Sequence, residues 1–182
     1  FHIRKDGQRA SAATAFIRPI VDRPNFTLIT EAEATRILFD GTRASGVEYV
    51  KDGQTHTVRA DREIIVSGGA FLSPKLLMLS GIGPADTLRQ HGLPVVQDLT
   101  GVGRNLQDHM QLPVVYRTKV NLPNTTLLTG NVLFVRTRPG SDAAPTDLQL
   151  NFTPSVPGPL APILPDFGGP VCIFLPILVQ PF

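Results

Sequence analysis

The sequence contains one cysteine, Cys172, and a single cysteine excludes an internal disulfide framework. Because Cys172 lies within the apolar run 170–179, we interpret it as a buried packing residue rather than a nucleophile. No uninterrupted apolar segment has the length that a membrane-spanning helix requires, and the run 171–179 is interrupted by Pro176. The net charge is only +2, with basic and acidic residues interspersed, so charge gives no reason to expect a nucleic acid or an acidic membrane as a partner.

Side-chain motifs for catalysis or metal binding are also lacking. No pair of His, Cys or carboxylate residues has metal-ligand spacing, so we predict no metal site. A G-x-S-x-G nucleophile motif is absent as well. Asp108 and His109 are adjacent, and adjacent residues of an extended segment point to opposite faces, so we do not expect an acid–base pair. We expect Asn105 and Asp108 to bind neighbouring backbone groups instead, and we assign no catalytic residue in this chain.

What the sequence does contain is the composition of a globular domain. Its 182 residues, 42% hydrophobic and 18% charged, suffice for one sizeable core. The Ala-rich segment 10–18 predicts a helix that stops before Pro19. Asp-Gly pairs at 40–41 and 52–53 predict hairpin turns within an antiparallel meander. Five strands are predicted from short apolar or β-branched runs, at 26–30, 34–39, 46–51, 54–60 and 63–67.

A longer motif begins where the apolar run 64–66 ends. It continues with four small residues, Ser-Gly-Gly-Ala at 67–70, and then with a leucine-rich segment. A buried strand that turns through small residues into a helix is how many α/β proteins hold an anionic cofactor. We predict that Ser73 caps this helix, that Pro74 occupies its first position, and that Gly81 ends it in a left-handed conformation.

The second half of the chain differs in character from the first. A further helix is predicted at 84–91, but beyond about residue 111 helix signals fade and proline becomes frequent. Alternating runs at 132–137 and 147–152 predict strands, the second with one solvated face. The Pro/Gly-rich segment 154–170 is predicted to be a loop.

Four segments resemble segments of one known family, in the same order and at the same spacing. They are 23–28, 46–49, 69–83 and 101–109. The third, with its Ser-Pro, Leu pair and Ser-Gly-Ile-Gly, resembles a signature of the glucose–methanol–choline (GMC) oxidoreductases, flavoenzymes that oxidise alcohols. The resemblance covers nearly all of residues 1–155. The residues of the motifs are more similar to those of bacterial choline-dehydrogenase-like members than to those of fungal sugar oxidases.

This resemblance implies a partial α/β (α+β) FAD-binding fold. Residues 1–110, an antiparallel meander plus helices, would belong to the FAD-binding domain, and 111–182 would begin an antiparallel-sheet substrate domain. Family members are roughly three times longer, beyond the usual size of one domain. They start with a G-x-G-x-x-G fingerprint that this sequence lacks. We therefore expect an internal fragment of a larger enzyme.

The cofactor that the resemblance implies is FAD, and the implied reaction is oxidation of the CH–OH group of a small-molecule alcohol by hydride transfer to the flavin. The family's catalytic histidine lies near its C-terminus and has no counterpart here, so we expect the chain alone to be inactive. Two alternatives stay open: a non-redox, FAD-containing lyase of the same fold that cleaves cyanohydrins, and a non-catalytic remnant protein. The sequence leaves the alcohol, the electron acceptor, the oligomeric state and the compartment undecided.

Five residues are candidate FAD contacts. Ala34 lies where the family usually has a Val whose backbone N–H and C=O read the adenine edge, and Ala supplies the same backbone groups. Ser67, Gly68, Gly69 and Ala70 lack bulk, which lets the main chain approach phosphate or ribityl oxygens. A tight packing turn between strand and helix explains the same four residues, and the two interpretations are compatible.

Overall fold

A computed structural model describes residues 10–122, 131–137, 146–156, 162 and 164–179. The chain divides into two compact units, Phe1–Asn105 and Leu106–Phe182. Both contain antiparallel sheets and the first also carries two α-helices, in agreement with the predicted partial α/β (α+β) fold. None of the helices in the described ranges has both the length and the apolar character needed to cross a membrane.

The main sheet of the first unit is a three-stranded antiparallel meander. Its strands are β1 (Glu33–Asp40), β2 (Arg43–Lys51) and β3 (Gln54–Arg59), in the order β1-β2-β3. Asp52 and Gly53, which join β2 to β3, have φ values of 52° and 74°. Positive φ at both positions of a two-residue hairpin loop is what an Asp-Gly pair favours. The predicted meander is therefore confirmed.

Three of the elements that the sequence predicts within residues 10–67 are wrong. The segments 26–30 and 63–67 join no sheet among the described residues, although both were predicted as strands. Apolar and β-branched sequence favours an extended chain, but a strand also requires a neighbour that receives its main-chain hydrogen bonds. In place of the helix predicted at 10–18 there is a π-helical turn, Ala13–Ile17, followed by a 3-10 turn, Arg18–Ile20. The proline in that second turn has no N–H to continue a regular helix.

The first helix, α1 (Gly69–Leu79), begins four residues earlier than the predicted cap. Ser73 and Pro74 lie inside the helix, so their predicted capping roles are wrong. The reason is Gly69, whose φ of 86° turns the chain into the helix without a capping side chain. Because Pro74 has no N–H, it donates no helical hydrogen bond to the carbonyl of Ala70, four residues before it.

A tight connection follows α1. Gly81 has a φ of 86°, which confirms the predicted left-handed end of the helix. Its carbonyl oxygen accepts a hydrogen bond from the Val96 N–H at 2.8 Å. The short strand β4 (Ile82–Gly83) pairs in parallel with β5 (Gln97–Asp98). A Cβ at Gly81 would lie 2.7 Å from the carbonyl oxygen of Pro94, so no side chain fits there.

Between these two strands lies α2 (Ala85–Gln90), which confirms the predicted second helix. A carboxylate oxygen of Asp98 accepts a hydrogen bond from the Ala85 N–H at 3.0 Å and satisfies one of the free donors at the helix start. Leu88 is 1% exposed and anchors the helix in the core of the first unit. The chain leaves the helix through Gly92, with a φ of 68°.

The second unit is built on a four-stranded antiparallel sheet in the order β6-β9-β8-β7. These strands are β6 (Val114–Arg117), β7 (Asn131–Val135), β8 (Leu148–Thr153) and β9 (Val171–Leu178). The central strand β9 carries the buried residues of this core, including Cys172, whose predicted packing role is confirmed. The predicted loop 154–170 lies partly outside the described residues.

The face of β8 that was predicted to be solvated is instead largely buried. Asp147, Asn151 and Thr153 are each at most 9% exposed. Hydrogen bonds explain how these polar groups tolerate burial. The carboxylate of Asp147 accepts from the Thr137 N–H at 2.7 Å and from the Thr137 hydroxyl at 2.9 Å. The alternating pattern thus predicted the strand correctly, but the prediction that one of its faces is solvated is wrong.

Replacing Gly81 by Ala should destabilise the protein strongly, because it combines the unfavourable φ of 86° with a contact of 2.7 Å to Pro94. We expect the free energy of unfolding to fall by about 3 kcal/mol or more. Gly92→Ala is the matched control: its φ is 68°, but a Cβ there meets nothing within 4 Å. We expect a loss of only about 1 kcal/mol from the control. Urea denaturation measures both, and equal losses would contradict the steric explanation.

Candidate cofactor-binding site

The first unit contains a cavity of about 470 Å³ between β1, the segment 64–68 and α1. Its walls are formed mainly by apolar side chains, those of Val47, Ile64, Leu72, Leu76 and Leu79 among them. An apolar cavity with a few polar groups at its edge is the usual form of a small-molecule or cofactor site. The residues that give the cavity this character come from distant parts of the sequence, which the meander and the helix bring together.

Three of the five predicted FAD contacts lie at this cavity. Ala34 reaches it from β1, and Ser67 and Gly68 reach it from the turn that precedes α1. Gly69 and Ala70 do not line the cavity, but they follow directly as the first two residues of the helix. The structure thus brings two predicted segments, separated by more than thirty residues in the sequence, to one site.

The main-chain groups of Ala34 point to the free edge of the sheet. The N–H of Ala60 donates to the carbonyl of Ser45 at 3.0 Å, which fixes the side of β2 that faces β3. Alternate residues of an antiparallel strand turn to opposite neighbours, so Tyr49 also directs its N–H and C=O to β3. Tyr49 is the partner of Ala34 in the ladder. Ala34 therefore forms a non-hydrogen-bonded pair, and its own N–H and C=O point away from β2.

A β-bulge in β1 sets this orientation. The register skips Thr35, since Ala34 pairs with Tyr49 while the next paired residue of β1 is opposite Glu48. An extra residue reverses the alternation of the strand that contains it. The Thr35 hydroxyl donates to the Glu48 carboxylate at 3.0 Å and holds the bulge in place. The N–H of Ile37 also points away from β2, which agrees with this reversal.

Local geometry explains the two glycines before α1. A Cβ on Gly68 would lie 3.1 Å from the Leu72 Cβ and 3.3 Å from the Ser73 nitrogen, so the helix leaves little room for a side chain. Gly69 has open space around its missing Cβ, but its φ of 86° disfavours any other residue except Asn or Asp. Both the packing interpretation and the close-approach interpretation of these glycines are compatible with this geometry.

Two charged side chains that the sequence reasoning missed lie at the cavity. The Lys75 ammonium is 3.5 Å from the Glu33 carboxylate, and both side chains are more than half exposed. An exposed pair of this kind contributes only about 0–1 kcal/mol to stability. The pair is relevant to the site because it brings the Lys75 ammonium and the Glu33 carboxylate to the same cavity as Ser67 and Gly68. Lys75 lies within the family-like segment 69–83, but only the fold places it at this cavity.

Asp108 and His109 belong to the second unit, where they make a local contact. The Asp108 carboxylate accepts a hydrogen bond from the backbone N–H of His109 at 2.7 Å, as predicted for an Asx side chain in a loop. Asn105 adopts a positive φ of 57°, a conformation that Asn tolerates. Neither observation gives His109 a role in chemistry.

Comparison with known proteins settles the family. The sequence profile of the GMC oxidoreductases matches residues 1–111, which is more than half of the chain. The chain belongs to the GMC oxidoreductase family. This confirms the predicted family and, at the level of the family, the predicted fold and the predicted cofactor, FAD.

Named GMC relatives include several choline dehydrogenases. The mitochondrial choline dehydrogenase of Homo sapiens is 55% identical over 107 residues, which are 59% of this chain and 18% of that protein. The oxygen-dependent choline dehydrogenase of Burkholderia vietnamiensis is 47% identical over 113 residues, 62% of this chain and 20% of that protein. This chain therefore spans about a fifth of the length of the curated relatives that it matches.

Solved GMC structures match over more of the chain. Pyridoxine 4-oxidase from Mesorbium loti aligns with a TM-score of 0.80 and 28% identity, covering 98% of this chain and 35% of that protein. Formate oxidase from Aspergillus oryzae aligns with a TM-score of 0.77 and 26% identity, covering 88% and 37%. Both units of this chain thus have counterparts within solved GMC structures.

Substitutions at Gly69 test whether its conformation is what the motif requires. Gly69→Ala should lower the free energy of unfolding by about 1 kcal/mol, because Ala disfavours a φ of 86°. Gly69→Asn should cost less, since Asn tolerates the left-handed region. Gly101→Ala is the control, because a Cβ there has open space and the backbone is not left-handed. Equal stability of all three variants in urea denaturation would exclude a conformational requirement at Gly69.

Proposed function

We propose that this chain is part of an FAD-dependent GMC oxidoreductase and that its first unit holds the ADP half of the cofactor. The single observation that supports this proposal is the main-chain edge at Ala34, which borders the same apolar cavity as Ser67 and Gly68. A main-chain N–H and C=O side by side offer one donor and one acceptor. Adenine has a complementary donor and acceptor on its edge and an apolar ring face.

The residues at the cavity fit the chemistry of that ligand. Leu72, Leu76 and Leu79 line one side of the cavity and offer apolar surface to a ring. The absence of bulk at Gly68 and Gly69 allows the main chain to approach an oxygen-rich group. The Lys75 ammonium, which pairs with the exposed Glu33 carboxylate here, could pair with a phosphate instead. An adenine ring would contact the apolar wall and the main-chain edge, and a phosphate of the ADP moiety would contact the cation.

When bound, FAD supplies the redox chemistry, accepting a hydride from the carbon that carries the substrate hydroxyl. The task of these residues is to bind and orient the cofactor, not to move the proton. None of the four histidines of this chain occupies a position that matches the family's catalytic motif. We therefore assign cofactor-binding roles to Ala34, Ser67, Gly68, Gly69 and Ala70, and no catalytic role to any residue here.

The substrate that we propose is a small-molecule alcohol oxidised at its CH–OH group, with choline as the first compound to test. The support is the identity of 45–55%, over 107–119 residues, to proteins named choline dehydrogenase and to a further GMC family member. The family profile matches residues 1–111, the segment that we assign to cofactor binding. Because that segment binds the cofactor rather than the substrate, the choice among alcohols depends on residues of the second unit and of the longer protein.

Substituting Ala34 tests main-chain recognition in the full-length enzyme that carries this chain. Ala34→Pro removes the N–H at the free edge of β1, where a strand tolerates proline. We expect the dissociation constant for FAD to rise about tenfold, as for the loss of one hydrogen bond. Ala34→Val is the matched control, because it changes the side chain and keeps both main-chain groups. Titration of the apoenzyme with FAD, followed by flavin fluorescence, gives both constants.

The melting temperature of each apoenzyme controls for misfolding. A variant whose apoenzyme melts like the parent but which binds FAD less tightly has lost recognition rather than folding. If Ala34→Pro binds FAD as tightly as the parent enzyme, the adenine edge is not read at this position and the proposed site is wrong.

The 182-residue chain expressed alone should bind FAD weakly and oxidise no alcohol. It lacks the G-x-G-x-x-G fingerprint that cradles the pyrophosphate and the histidine that removes the hydroxyl proton. Purification should therefore yield a colourless protein. A yellow preparation whose flavin absorbance bleaches on addition of alcohol would overturn this prediction.

A further inference from the structure

One buried hydroxyl connects the two walls of the candidate site. Ser80, the residue directly after α1, is 3% exposed. Its Oγ accepts a hydrogen bond from the Ile37 N–H of β1 at 2.8 Å. The same hydroxyl donates to the Leu76 carbonyl of α1 at 2.6 Å. A single side chain thus joins β1 to α1, and Ser80 is 43 positions from Ile37 in the sequence.

The position of this link relates it to cofactor binding. Ile37 and Ala34 direct their main-chain groups to the same free edge of β1, on either side of the bulge. At the other end of the link, Leu76 is itself a cavity-lining residue. The hydroxyl therefore ties the edge of β1 that carries Ala34 to the helix that forms the opposite wall. The exposed Lys75–Glu33 ion pair also joins α1 to β1, but it is too weak to fix a distance.

Serine suits this role for a chemical reason. The group must accept from an N–H and donate to a carbonyl at once, and a hydroxyl does both. Alanine would leave the Ile37 N–H without its partner, and an unsatisfied buried donor is costly. Relaxation of β1 away from α1 would then widen the cavity. Threonine keeps the hydroxyl and is the conservative replacement.

We propose that Ser80 is a positioning residue for FAD, which holds the main-chain edge at Ala34 at the distance from α1 that the adenine ring requires. The inference rests on the proposed function, because it assigns Ser80 a role in the same site. Ser80 touches no cofactor itself, and it acts through Ala34.

The experiment uses the full-length enzyme and a double-mutant cycle between Ser80→Ala and Ala34→Pro, read out as the dissociation constant for FAD. We expect Ser80→Ala to raise that constant about tenfold in the parent enzyme. In the Ala34→Pro background the same substitution should raise it less than about twofold, because the edge that Ser80 positions is already lost. Ser80→Thr should restore most of the affinity.

A matched control separates positioning from general stability. Thr153 in the second unit is also 3% exposed, and its hydroxyl donates to the Ser155 carbonyl at 3.0 Å. Thr153→Val removes a buried hydroxyl of equal exposure that belongs to the second unit. We expect both variants to lower the melting temperature of the apoenzyme, and only Ser80→Ala to weaken FAD binding. Hydrogen exchange at the Ile37 amide should accelerate in Ser80→Ala alone.

The outcomes distinguish the two proposals. If Ala34→Pro leaves FAD affinity unchanged, the proposed site itself is wrong. If Ala34→Pro weakens FAD binding but Ser80→Ala does not, the site stands and the positioning role of Ser80 is wrong. The same conclusion follows if the two increases in the dissociation constant multiply in the double variant. Equal loss of FAD affinity in Thr153→Val and Ser80→Ala would also overturn it, because the effect would then follow stability alone.

Discussion

The direction of the main-chain groups in β1 is the constraint on which the first unit depends. One edge of this strand is used by β2, and the other edge faces α1 and the cavity. The bulge at Thr35 decides which residues present an N–H and a C=O to that second edge, and it selects Ala34 and Ile37. The structure uses the two positions differently. The N–H of Ile37 is satisfied within the protein by Ser80, whereas Ala34 has no hydrogen-bonding partner on that edge among the described residues. The proposed binding position, Ala34, and a position satisfied within the protein, Ile37, thus lie three residues apart on one strand.

The family signature at 69–83 divides into two parts with different physical roles. Its first residues lie beside the cavity, where a left-handed glycine turns the chain into α1 and small size permits close approach. Its last residues, Ser-Gly-Ile-Gly, lie away from that opening and hold the scaffold together. Ser80 binds β1, Gly81 packs against the Pro94 carbonyl, and Gly83 leaves room for Met78. The motif is therefore divided between residues beside the cavity, where we propose that FAD binds, and residues that pack the scaffold, which is why a resemblance alone does not assign roles within it.

Sequence reasoning succeeded where the deciding interactions are local. The turn at Asp52-Gly53 depends on the φ preferences of two residues, and the end of α1 depends on those of Gly81. It failed where the deciding partner is distant in sequence. The misplaced cap at Ser73 is the exception, because the chain turns into α1 at Gly69, four residues earlier. The segments 26–30 and 63–67 have strand-like composition but no neighbour among the described residues. The bulge at Thr35 was missed for the same reason, since it is defined only against Glu48 on another strand. Of the candidate site, the five residues were named from a resemblance, while the cavity, Lys75 and Ser80 required the fold.

A site built from main chain changes what sequence comparison can reveal about it. Side-chain identity at Ala34 matters little as long as the residue is not proline, because the proposed recognition uses only its N–H and C=O. What must persist is the geometry around it: the bulge, the left-handed glycine and the buried hydroxyl that joins β1 to α1. GMC proteins with 26–28% identity to this chain keep the same architecture at TM-scores of 0.77–0.80, so most side chains can differ while the backbone path is retained. Under the proposed recognition, residues that set the backbone path, such as Thr35 and Ser80, affect cofactor binding without touching the cofactor.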